Sequence, residues 1–83
     1  MNLLVTGGAG FIGSNFIRQL LRTEPGVRKL VNLDALTYAG NLESLRDVEK
    51  DPRYALVRAD ITDAAAVQAA FAAHAPEIVV HFA

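Results

Sequence analysis

Leu3 to Thr6 is a short apolar run that stops at a glycine cluster, and beyond it Phe11, Ile12, Phe16, Ile17, Leu20 and Leu21 recur in pairs four to five residues apart. This pattern predicts a strand, a glycine turn and an amphipathic helix. Glu24-Pro25-Gly26 ends that helix, and Leu30-Val31-Asn32-Leu33-Asp34 is a second strand closing on a carboxylate. After Gly40, the helical spacing of Leu42, Leu45 and Val48 predicts a short second helix, with Asn41 as its N-cap and Pro52 as its stop. Tyr54 to Arg58 reads as a third strand. It leads through Ala59-Asp60-Ile61-Thr62-Asp63 into an alanine-rich helix reaching about Ala73, with Thr62 as the cap and Val67, Ala70 and Phe71 as the inward stripe. Past Pro76, Ile78-Val79-Val80-His81-Phe82-Ala83 is a continuous apolar run of the kind found in strands buried on both faces.

The element order βαβαβαβ, with strands apolar throughout, predicts an α/β fold: a parallel sheet with right-handed crossovers and helices on both faces. This is the N-terminal half only of a doubly wound, Rossmann-type domain. No internal repeat, low-complexity tract or linker divides residues 1–83. The last strand belongs in the middle of such a sheet, beside the point where the strand order reverses, yet no partner for its far side follows it. The chain therefore reads as part of a longer protein, with the rest of this domain and a substrate domain absent. An isolated piece would expose Val79, Val80 and Phe82 along an edge.

Composition narrows the classes of function. Eight Lys and Arg against nine Asp and Glu give a net charge of −1, without the basic excess that nucleic-acid binding demands. Zero cysteines exclude a disulfide framework and any cysteine-ligated metal site, and no metal site is expected. The N-terminus lacks a basic region before its apolar run, and no run approaches the ~18 apolar residues of a membrane span, so a cytoplasmic protein with no membrane partner is expected.

Two overlapping glycine patterns, Gly7-x-x-Gly10-x-x-Gly13 and Gly8-x-Gly10-x-x-Gly13, lie between the first strand and the first helix. Glycine belongs where the chain turns through positive φ, where its backbone approaches a pyrophosphate and where a helix packs tightly on a sheet. The helix N-terminus adds unsatisfied N–H groups and a partial positive charge. Asp34 closes the second strand 21 residues beyond Gly13, where a carboxylate accepts hydrogen bonds from ribose hydroxyls. It favours NAD over NADP, because a 2′-phosphate would meet its charge and Ala35 supplies no cation. Asp60 and Ile61 sit at the end of the third strand, where Asp60 has two readings: contact with an adenine edge, or the cap of the next helix. His81 reads as a hydrogen-bonded core or cofactor-side histidine rather than a catalytic one. His74 reads as a solvated helix-end residue complementing the dipole.

The run Thr6-Gly7-Gly8-Ala9-Gly10-Phe11-Ile12-Gly13-Ser14-Asn15-Phe16 resembles the extended short-chain dehydrogenase/reductase superfamily. The stretch Asp34-Ala35-Leu36-Thr37-Tyr38-Ala39-Gly40-Asn41-Leu42-Glu43-Ser44-Leu45 is similar to the dTDP-glucose 4,6-dehydratases within it, as are Asp60-Ile61-Thr62-Asp63 and the closing Val79-Val80-His81-Phe82-Ala83. The resemblance implies that Gly7, Gly10 and Gly13, with Phe11 and Ile12, line an NAD pyrophosphate. It places Asp34, Ala35, Leu36 and Thr37 around the adenosine ribose, Asp60 and Ile61 at the adenine, and Ala83 at the start of a segment passing the nicotinamide.

For the intact protein the resemblance implies a lyase acting on a dTDP-sugar, with hydride transfer to and from bound NAD and elimination of water, in a homodimer of the dTDP-rhamnose route. The family's Tyr-x-x-x-Lys pair and its Asp-Glu pair have no counterpart in this chain: Leu42 follows Tyr38 and Arg58 follows Tyr54 at the lysine position. No catalytic residue is assigned, and the piece alone is expected to be inactive. The alternatives are a related sugar-nucleotide epimerase or decarboxylase, or an NAD-binding module without turnover.

Overall fold

The computed structural model describes residues 1–35 and 45–82. Four strands, β1 (Asn2–Thr6), β2 (Lys29–Asp34), β3 (Tyr54–Arg58) and β4 (Ile78–His81), form one sheet in the order β3-β2-β1-β4, with every neighbouring pair parallel. Helix α1 (Phe11–Thr23) joins β1 to β2 and helix α2 (Ala64–His74) joins β3 to β4.

Alternation along the strands sends successive side chains to opposite faces. On one face Leu3, Val5 and Leu30 pack with Ile17 and Leu21 of α1. On the other, Leu4, Val31 and Leu33 pack with Ala70 of α2, joined by half-buried Val67. Helices thus cover both faces, as the apolar strands imply. The order reverses at β1, which lies between β2 and β4, so the glycine segment leaves β1 at the crevice where ligands of doubly wound sheets bind.

Several local features depart from the sequence expectations. The short second helix expected after Asn41 falls mostly outside the described residues; Leu45 is in 3₁₀ conformation and residues 46–50 are turns, the Val48 and Glu49 N–H groups both donating to Leu45 O at 3.0 Å. Leu45 and Val48 are still buried in the α1-side core, while Asn41 and Leu42 lie outside the described residues. Asp63, not Thr62, caps α2, its carboxylate accepting from Ala66 N at 3.1 Å. Aspartate is as good a cap as threonine, and Thr62 is already engaged with Asp60. The inward stripe of α2 is Val67 and Ala70, whereas Phe71 is exposed. Among the described residues no helix is long and apolar enough to cross a membrane.

The last strand is not buried on both faces. It pairs with β1 on one side only among the described residues, which leaves Ile78 43% and Val79 50% exposed, with Val80 half-buried and Phe82 partly exposed against the Phe16 ring. An unpaired edge carrying β-branched residues templates pairing with another strand. The 83-residue chain produced alone is therefore expected to self-associate in sedimentation velocity, and Val79→Lys to shift it toward monomer. A monodisperse, cooperatively unfolding wild-type monomer would contradict this.

Candidate functional site

The carboxyl ends of β1 and β2 converge on the glycine turn. Gly7 adopts φ 70°, a left-handed conformation that side chains resist, and its N–H donates to Leu33 O at 3.1 Å. The next two amides are also tied to β2: Gly8 N–H donates to Asn32 Oδ1 at 2.9 Å and Ala9 N–H to Asp34 Oδ2 at 2.8 Å. Three successive amides thus bind three successive residues of β2, and the turn is held flat against the sheet.

Gly10 begins α1 as its N-cap in extended conformation, with no side chain capping the helix. The first-turn N–H groups of such a helix have no intrahelical partner, and with the helix dipole they form a seat for an anion. Gly13 lets the helix press on the turn, since a Cβ there would stand 2.5 Å from Gly7 O and 2.8 Å from Gly8 Cα. Phe11 and Ile12, which the resemblance places at a pyrophosphate, are 83% and 69% exposed at the mouth of the turn. Both lie in the first turn, ahead of the stretch of α1 that packs on the sheet through Ile17 and Leu21.

Asp34 is 8% exposed, with one carboxylate oxygen committed to the loop. Ala35 follows it half-buried, and Leu36 and Thr37 lie outside the described residues, as does Ala83. At the end of β3, Asp60 Oδ1 accepts from both the backbone N–H (2.9 Å) and the hydroxyl (2.8 Å) of Thr62. These bonds hold its carboxyl below the usual carboxylate range, the backbone bond contributing most. Asp60 therefore shapes the β3–α2 turn and does not cap α2, while Ile61 beside it is exposed.

Thr6, buried at the end of β1, shares a hydrogen bond between its Oγ1 and Nδ1 of His81, its register partner on β4. This agrees with a hydrogen-bonded histidine, although the ring is exposed at the sheet edge rather than in a core. His74 lies in the last turn of α2. Among the described residues no three His, Cys, Asp or Glu side chains gather as a metal site would require.

Asn32 belongs to none of the sequence motifs. It is fully buried, its Nδ2 donates to the Tyr54 hydroxyl at 3.2 Å, and burial pushes that phenol's pKa above its ordinary value. A lone amide in the middle of an otherwise apolar strand was the available signal, but its partner Gly8 is 24 residues away and only the folded register joins them.

A parallel sheet reversing at β1, with this turn at the reversal, is the first half of a Rossmann-type α/β domain, and that is the class of this chain. The family model described as GDP-mannose 4,6 dehydratase matches residues 4–83. The chain belongs to that family.

Among its curated relatives, dTDP-glucose 4,6-dehydratase of Shigella flexneri is 53% identical over 83 residues, which are 100% of this chain and 22% of the relative. The crystal structure of dTDP-glucose 4,6-dehydratase from Bacillus anthracis in complex with NAD superposes with a TM-score of 0.95 at 40% identity, covering 100% of this chain and 26% of that one. DesIV, the dTDP-glucose 4,6-dehydratase of Streptomyces venezuelae, solved with NAD and TYD bound, gives 0.92 at 46% identity with the same coverage. The chain thus spans about a quarter or less of the relatives it matches.

Proposed function

We propose that residues 1–83 are the N-terminal part of the NAD-binding domain of a dTDP-glucose 4,6-dehydratase, a lyase that converts dTDP-glucose to dTDP-4-keto-6-deoxyglucose. The observation that carries this reading is the glycine turn itself: three amides are satisfied by β2, while the helix behind them opens with no side-chain cap. That arrangement suits a diphosphate, which needs N–H donors and close backbone approach. The similarity to dTDP-glucose 4,6-dehydratases over the full 83 residues supplies the particular reaction.

In this reading the N-terminus of α1, with Gly7, Gly10 and Gly13, holds the pyrophosphate. Phe11 and Ile12 cover it, and their exposure is relieved on binding. Asp34, with Ala35, Leu36 and Thr37, takes the adenosine ribose, its charge disfavouring a 2′-phosphate. Asp60 and Ile61 lie toward the adenine, and Ala83 toward the nicotinamide. Bound there, NAD supplies a hydride acceptor that returns the hydride within one turnover. The residues of this chain bind and orient the coenzyme, and the groups that move protons on the sugar belong to the rest of the intact protein, which we place in the cytoplasm as a homodimer.

Product analysis tests the assignment. The intact natural protein carrying this sequence, incubated with dTDP-glucose, is expected to yield the 4-keto-6-deoxy sugar nucleotide. Recovery of only a C4 epimer would overturn the dehydratase assignment in favour of an epimerase.

A further inference from the structure

Asn32 is a fully buried amide on the α1-side face of β2, where its surroundings are the apolar side chains of Leu30, Val5 and Ile17. A buried amide costs stability unless it is hydrogen-bonded, and this one is matched at both ends. Its oxygen must face Gly8, because the backbone N–H there is a donor, and its NH2 must then face the Tyr54 oxygen. Leu30 pairs with Tyr54 and Asn32 with Leu56, so the parallel register puts the phenol diagonal to the amide on the same face. The phenol, its pKa raised by burial, stays neutral and keeps an oxygen lone pair for the amide. Gly8 completes the fit, since a Cβ at that position would overlap both Asn32 Oδ1 and Ile17 Cδ1.

We propose that Asn32, oriented by Tyr54, is a positioning residue for the diphosphate-binding turn: it anchors the Gly8 amide and thereby sets the direction in which the N–H groups at the start of α1 point. The assignment rests on the coenzyme reading above and adds to it a residue pair that touches no coenzyme atom. Gly7 is anchored by a backbone carbonyl whatever the side chains, and Ala9 by Asp34. Between them, Gly8 is the loop amide whose anchor is set by Asn32.

The test uses the intact natural protein with Asn32→Leu and Tyr54→Phe, measuring the affinities of NAD, ADP-ribose and adenosine for each. Asn32→Leu leaves the Gly8 N–H without its acceptor and lets the turn and the start of α1 reorient, so NAD and ADP-ribose are expected to bind about tenfold or more weakly. Adenosine, which has no diphosphate, is expected to change by less than about twofold. Tyr54→Phe keeps the Gly8 bond and loses only the orienting partner, so about a threefold loss with the same selectivity is expected, and it carries the test if Asn32→Leu fails to fold. A folded Asn32→Leu protein with unaltered NAD affinity, or an equal loss for adenosine and NAD, would show a merely structural role and overturn the proposal. A wild-type protein that binds no NAD would overturn the coenzyme reading as well; wild-type binding with unselective variants would overturn this proposal alone.

Discussion

Gly13→Ala is expected to weaken NAD binding by the intact protein at least tenfold and to lower its stability by about 1–3 kcal/mol, the range for forcing extra volume into a packed site. The added methyl would sit 2.5 Å from Gly7 O and 2.8 Å from Gly8 Cα. Both atoms are backbone, so no side-chain rotation relieves the overlap. The turn has little room to yield, because the Gly7, Gly8 and Ala9 amides are each bonded to β2. The helix must move instead, which carries the first-turn N–H groups away from the proposed pyrophosphate position. Calorimetric titration with NAD, alongside thermal unfolding without it, separates the two effects. Wild-type affinity in the variant would show that the close approach of α1 to the turn has no part in binding.

Asp34→Ala is expected to act through two interactions. It removes the acceptor for Ala9 N–H, a bond of 2.8 Å in a buried setting, and hydrogen bonds to charged groups contribute about 1.5–3 kcal/mol. In the proposed complex it also removes the ribose contact. NAD affinity is expected to fall by about tenfold to a hundredfold. NADP affinity should fall less or rise, because the charge opposing a 2′-phosphate is gone. The NAD to NADP affinity ratio of the variant, set against that of wild type, is the readout. A ratio that stays at the wild-type value would remove Asp34 from the ribose site.

The strands, both helices that frame the sheet and the glycine turn were legible in local pattern, since each depends on periodicity or on a backbone need that glycine alone meets. The reversal beside β1 and the open edge of β4 were legible as well, because right-handed crossovers leave few orders for four parallel strands. Finer choices were not. Asp60, Thr62 and Asp63 are all competent caps, and only the turn geometry decides that Asp60 and Thr62 bond each other and leave Asp63 to the helix. Leu45 and Val48 face the core, as their spacing said, while the start of the helix they were expected to share lies outside the described residues. Phe11 and Ile12 fit an apolar helix pattern and are nevertheless exposed, a local inconsistency of the sort that marks sites built for something other than packing. Asn32 was visible only as an oddity in an apolar strand.

The most direct test of the proposed NAD site is to identify the nucleotide released when the intact natural protein carrying this sequence is purified, saturated with a mixture of NAD and NADP, stripped of free ligand and denatured. NAD is expected, about one per chain, with NADP nearly absent. Release of neither nucleotide, or of NADP in preference, would contradict it.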